Sequence, residues 1–171
     1  MMTKEDFLKY RCPRWDEFPA IELYMDQVLS ILENSLSGFS HGERTITSSM
    51  INNYVKQKIV KPPVKKKYDR VHLSYLYAVS ILKPLMSISD ICRGISIVLR
   101  KFEIKEAYDI FCNELEGALK DVFSESGAAE GAADCAETAL IRAAVRAFAN
   151  LMYTSVLIDE NGVFDESCEK S

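Results

Sequence analysis

The 171-residue chain is 48% hydrophobic and carries a net charge of −4, which gives it enough apolar material for a packed core and, taken whole, no nucleic-acid signature. The charge is unevenly placed: 16 Lys/Arg stand against 10 Asp/Glu up to Phe102, and 5 against 15 from Glu103 on, which suggests a basic working end and an acidic remainder. Five scattered cysteines without a CxxC and two distant histidines argue against disulfide and zinc frameworks, and with no secretory signal and no apolar run approaching the ~20 residues of a membrane span, a reduced, cytoplasmic protein with no membrane partner is expected.

Residues 1–14 read as polar and loosely held. IELYMDQVLSILENSL then sets Ile21, Met25, Val28, Leu29 and Leu32 at helical spacing, predicting an amphipathic helix that ends near Gly38. SGFSHGERT (37–45) is loop by composition. Thr47 or Ser48 can cap a second helix through a side-chain oxygen. Its Ile51, Tyr54 and Val55 share one face; Ser49, Asn52, Asn53 and Lys56 share the other. That helix must stop before Pro62, and VKKKY reads as a short extended segment or hairpin turn.

Asp69 can cap a third helix, RVHLSYLYAVSILK, which is apolar on almost every side and therefore central. Lys83-Pro84 ends or kinks it. Ser87 and Asp90 can open a fourth helix with Ile88, Ile91, Ile95, Val98 and Leu99 as its stripe, and a fifth is expected over 104–123. ESGAAEGAA reads as a linker, and an alanine-rich helix follows over roughly 132–157. The acidic tail, 159–171, is expected to be largely disordered.

The stretch from Ile46 to Arg70 holds seven cations against one acid, Asp69. A helix, a short helix with a polar outer face, a lysine-rich turn and a buried helix follow in the order of a winged helix-turn-helix. The chemistry suits duplex DNA: Asn side chains can pair with the adenine N6/N7 edge, while Ser hydroxyls and Lys reach phosphates. The candidate contacts are Ser48, Ser49, Asn52, Asn53, Lys56, Lys58 and Lys61 on and after the helix. Lys65, Lys66, Lys67 and Arg70 would grip the backbone from a wing over 64–70.

Two resemblances add to this reading. MINNYVKQKIVKPPVKKKYDRVHLSYL with the later SISDI resembles the head of the MerR-type regulators. Ile51, Tyr54, Ile59, Val60, Tyr68, Leu73, Leu76 and the run Ser87–Ile91 fall on that pattern. Asn52 and Asn53 stand where the family has Arg and Tyr, so its DNA contacts do not carry over. RWDEFPAIELYMDQVLSILE together with ITSSMINNYVKQKIVKPPVKKKYDRVHLSYLYAVSILKPLMSISDI is similar to a bacterial family catalogued as domain of unknown function 1836, over about residues 14–100. That likeness implies a MerR-like helical protein and brings no activity or ligand.

The expectation is an all-α protein. Residues 15–102 form a MerR-like winged helix-turn-helix with one small β wing. Residues 103–158 form helices that pack on it or make a dimer interface, followed by the tail at 159–171. The expected function is a transcription regulator that binds double-stranded DNA as a homodimer, with no cofactor, no metal and no assigned effector. No nucleotide-, metal- or nucleophile-type motif points to an enzyme. His41 and His72 lack partners at any recognisable spacing, and Asp109 and Glu116, seven apart, read as solvated acids. The alternative is a protein-interaction module on the same fold, whose binding would depend far less on salt.

Overall fold

A computed structural model of the chain describes residues 2–39, 46–124 and 135–161. Ser40 to Thr45, the ESGAAEGAA linker and the tail from 162 lie outside these residues, and His41 with them. Among the described residues seven α-helices follow in order: α1 Lys4–Lys9, α2 Met25–Leu36, α3 Ser48–Lys56, α4 Arg70–Leu82, α5 Ile88–Val98, α6 Ile104–Phe123 and α7 Ala136–Asn161.

α4 is the centre. Nine of its residues are buried: His72, Leu73, Ser74, Leu76, Tyr77, Val79, Ser80, Ile81 and Leu82. Its apolar sequence admits no solvent face, so α2, α5, α6 and α7 all contact it. The most extensive helix pair is α6 with α7. Buried residues from Phe7 to Val156 form one continuous core. An apolar cavity of about 130 Å³ lies where α4, α5, α6 and α7 meet.

The N-terminal residues are not loosely held. Thr3 caps α1 reciprocally with Asp6, and Phe7 is fully buried, its ring stacked on Phe123 at 4.3 Å. Residues 10–18 then run along α6 as a strap. Glu116 accepts the Cys12 backbone N–H at 2.8 Å and pairs with Arg14 at 3.0 Å. Asp109 accepts the Trp15 N–H at 3.2 Å, and Tyr108 donates to the Pro13 carbonyl at 2.8 Å. The two acids spaced by seven are therefore receptors for backbone N–H groups, not solvated side chains. Tyr10 closes the strap by hydrogen bonding to Tyr77 of α4.

α2 begins at Met25, later than its periodicity suggests. Gln27 accepts the Tyr24 N–H and defines the start, leaving Ile21 outside the helix and 70% exposed.

The expected β wing is not there: no strand forms among the described residues, only two isolated bridges, Leu23 with Tyr68 and Val64 with Lys67. The cause is local. Pro62 and Pro63 bring no N–H to one arm. On the other, Tyr68 exchanges both of its backbone hydrogen bonds, 2.8 Å each, with Leu23, and Asp69 already caps α4. One bond, Lys67 N–H to the Val64 carbonyl at 2.9 Å, is all that remains for a hairpin.

α7 packs along α6 as an alanine-rich helix. Over Ala136–Glu160 it is long and apolar enough, by length and composition, to cross a membrane; its many alanines raise the mean hydropathy without forming an obvious apolar run. Its inward residues Ile141, Val145, Phe148, Met152 and Val156 are buried. Arg142 bonds Glu114 of α6 through two nitrogens, at 2.7 and 2.9 Å.

Candidate nucleic-acid interface

Thr47 sets the orientation of α3. Its Oγ1 accepts the Met50 N–H at 3.2 Å, which starts the helix so that Ile51 and Tyr54 are buried. Helical spacing then turns Ser48, Ser49, Asn52, Asn53 and Lys56 outward, and all five are exposed. The amide of Gln57 donates to the Asn53 side chain at 3.1 Å, holding that carboxamide along the exposed face.

The helix stops before it reaches the prolines. Lys58 adopts φ 60; its N–H bonds the Val55 carbonyl and the Ile59 N–H bonds the Tyr54 carbonyl, each at 3.0 Å. This is a Schellman cap, a position that favours glycine. Further along, Lys65 and Lys66 adopt φ 49 and φ 64, the signature of a type I′ turn, which favours Asn-Gly. Among the described residues the only non-glycine positions with positive φ are these three, and all are lysines in the basic stretch.

Each such conformation costs about 1 kcal/mol for a residue with a Cβ. Replacing Lys65→Asn and Lys66→Gly together should therefore raise stability by about 1 kcal/mol, as a higher urea midpoint at an unchanged m-value. A lower midpoint would mean that the two lysine side chains hold the turn themselves.

The structure groups nine of the eleven expected contact residues and engages the other two internally. Ser48, Ser49, Asn52, Asn53, Lys56, Lys58, Lys61, Lys65 and Lys66 are exposed on α3 and the segment after it. Lys67 is half-buried, 3.6 Å from Glu22 and over the Tyr24 ring at 5.9 Å. Arg70 donates to the Phe18 carbonyl at 2.9 Å and lies 3.7 Å from the Asp16 carboxylate. Arg70 thus ties the strap to the start of α4.

Asp69 closes the segment. It accepts the His72 N–H at 3.1 Å, and its own N–H reaches the His72 ring at 3.1 Å. Burial pushes the Asp69 carboxyl up, but the backbone and ring hydrogen bonds of His72 outweigh it and leave the carboxyl below its usual range. A lowered value in the folded state stabilises the fold above the unfolded carboxylate range, and the effect disappears as pH falls through the folded value. Asp69→Ala should cost about 1 kcal/mol near neutral pH, the usual worth of an N-cap. The gap between variant and parent should close in denaturation curves taken toward acid pH; a gap that widened in acid would refute this role.

Sequence reasoning misses the grouping of His72, Tyr75, Cys92 and Ser96, which α4 and α5 bring beside Lys58 and Lys61 around a cavity. The only sequence signal is a histidine three residues after a capping Asp, and such a pattern normally marks a helix start and nothing more. Among the described residues no group of three or more His, Cys, Asp or Glu is placed to hold a metal ion.

A comparison with known proteins found no match among curated proteins and none among solved structures. A family model described as Domain of unknown function (DUF1836) matches residues 13–111. That range takes in the strap from Pro13, helices α2 to α5 with the basic segment between them, and the first two turns of α6. Covering more than half of the sequence, the match shows that the chain belongs to the DUF1836 family.

Proposed function

We propose that the protein is a DNA-binding transcription regulator with a MerR-like helix-turn-helix, which meets duplex DNA through α3 and the lysine turn that follows. One observation carries the reading: a face of exposed Ser and Asn on a single helix, flanked by Lys56, Lys58, Lys61, Lys65 and Lys66, with three of those lysines kept in backbone conformations that glycine would adopt more cheaply. Asn52 and Asn53 are the candidates for base edges. The lysines are the candidates for phosphates, which position the helix without reading sequence. A single copy offers one short helix, so a homodimer on a two-fold site is part of the proposal. The acidic C-terminal helices then have to face away from the duplex.

The test is capture from a pool of random duplexes, with the Lys65→Glu/Lys66→Glu protein as control. Enrichment of a palindromic motif that the control fails to retain supports the regulator. Absence of enrichment, with weak retention equal in both proteins, overturns it.

One observation favours a second reading, a protein-docking module. Tyr24 and Val64 are 55% and 66% exposed, and both neighbour Lys67, which sits over the Tyr24 ring and bridges to Val64. Exposed apolar side chains beside the turn suit a protein partner better than a phosphate backbone. Tyr24→Ser/Val64→Ser separates the two: it should leave duplex retention unchanged if the regulator reading holds.

A further inference from the structure

A cavity of about 220 Å³ opens between the C-terminal cap of α3, the first turns of α4 and the outer face of α5. Its walls are of two kinds. Ile59, Val60, Val71, Ile95 and Leu99 make an apolar floor; Lys58, Lys61, His72 and Ser96 supply the polar groups.

His72 is the unusual member. It is 7% exposed, and its Nε2 is buried without a hydrogen-bond partner among the described residues. The other ring nitrogen is fully engaged: Nδ1 lies 3.1 Å from the Asp69 backbone N and 2.6 Å from Asp69 Oδ1. Tyr68 packs edge-on against the ring with centroids 5.3 Å apart. The ring is thereby fixed, and His72 is one of the residues that line the cavity. A buried polar atom without a partner costs about 1–3 kcal/mol, so a residue that only capped α4 would be better served by Glu or Gln.

The chemistry of the missing partner follows from the donor set. When Nδ1 accepts the Asp69 N–H, the ring proton sits on Nε2. When the ring is doubly protonated, Nδ1 donates to the Asp69 carboxylate and Nε2 again carries a proton. A third form, neutral with its proton on Nδ1 and directed at the Asp69 carboxylate 2.6 Å away, leaves Nε2 an acceptor. The charges of Lys58 and Lys61 are positive, so they favour an anion, which selects a form with the proton on Nε2. We propose that this cavity binds a small organic anion, a carboxylate or phosphate bearing a short apolar body, with His72 Nε2 as the buried donor. Lys58 and Lys61 supply the charge and the Ile59–Leu99 floor takes the body, while the Ser96 hydroxyl already donates to the Cys92 carbonyl at 2.8 Å.

The inference does not rest on DNA binding, and its test contains no DNA. The full chain is titrated with benzoate and, separately, phenyl phosphate, with benzyl alcohol as the neutral control, at constant ionic strength set with sodium chloride. Ring nitrogens are followed by long-range ¹H–¹⁵N correlation and backbone amides by ¹H–¹⁵N correlation. The expected result is a saturable shift of His72 Nε2 and of the Ser96 and Leu99 amides for at least one anion. His72→Gln keeps a capping side chain and removes the ring donor; it should weaken binding at least tenfold. Lys58→Ala/Lys61→Ala should weaken it comparably with the His72 ring intact, which keeps the test decisive if the first variant folds poorly. Shifts that fail to saturate, that are equal for benzyl alcohol, or that persist in the lysine variant overturn the proposal.

Discussion

Alanine at Lys58, Lys61, Lys65 and Lys66 together should flatten the salt dependence of duplex binding by about 3.6 units of log K per unit of log salt for each protomer, at about 0.9 per phosphate neutralised. Carried from about 1 M salt down to about 0.15 M, a slope change of that size amounts to roughly a 10³-fold loss of affinity. These four lysines are exposed, so counterion release, not a buried ion pair, is the term at stake. Fluorescence anisotropy of a labelled duplex across a salt series measures both quantities. Arg70→Ala provides the contrast. That side chain already serves the Phe18 carbonyl and Asp16, so its loss should lower stability and leave the slope near the parent value. A parent slope that is shallow, or one the four alanines leave unchanged, would sink the regulator reading and favour docking at Tyr24 and Val64.

What could be read from the sequence followed periodicity. α4, α5 and α6 repeat apolar residues over three or more turns, and the caps of the first two, Asp69 and Ser87, sit immediately before the first turn. The face of α3 was equally legible, because Thr47 and the spacing of Ile51 and Tyr54 fix which side chains turn outward. The misreadings share a different cause: the deciding partner lies far away in sequence. α1 is six residues long and too short to announce itself; Phe7 is buried only because Phe123 stands opposite. Asp109 and Glu116 look solvated until the strap supplies Trp15 and Cys12. The wing failed because Tyr68 found Leu23 as its pairing partner, across a separation no local pattern reveals.

The strap also sets the largest stability effect expected here. Glu116→Ala removes the acceptor of the buried Cys12 N–H and strands Arg14, whose side chain is 25% exposed against 13% for Glu116. Breaking a buried pair from one side costs about 3–5 kcal/mol, with the lower end apt for a partly wetted arginine; the orphaned N–H adds about 1 kcal/mol or more. A loss of about 4 kcal/mol should appear in urea denaturation, a large share of the stability of a domain this size. Glu116→Gln keeps an acceptor for Cys12 and gives up the charge, so it should fall between parent and alanine. Arg14→Met with Glu116→Leu removes the charges from both sides and should recover much of the loss, since apolar replacements of a buried pair are often neutral. If Glu116→Ala cost under about 1 kcal/mol, within the range of a surface substitution, the strap would not be docked on α6. The outcome bears on the interface as well, because Arg70 reaches the same strap at Phe18 and Asp16. α6 holds the strap, the strap holds Arg70, and Arg70 opens the helix against which the lysine turn is set. A loosened strap should therefore reduce duplex affinity without changing its salt slope, a combination that losing a lysine cannot produce.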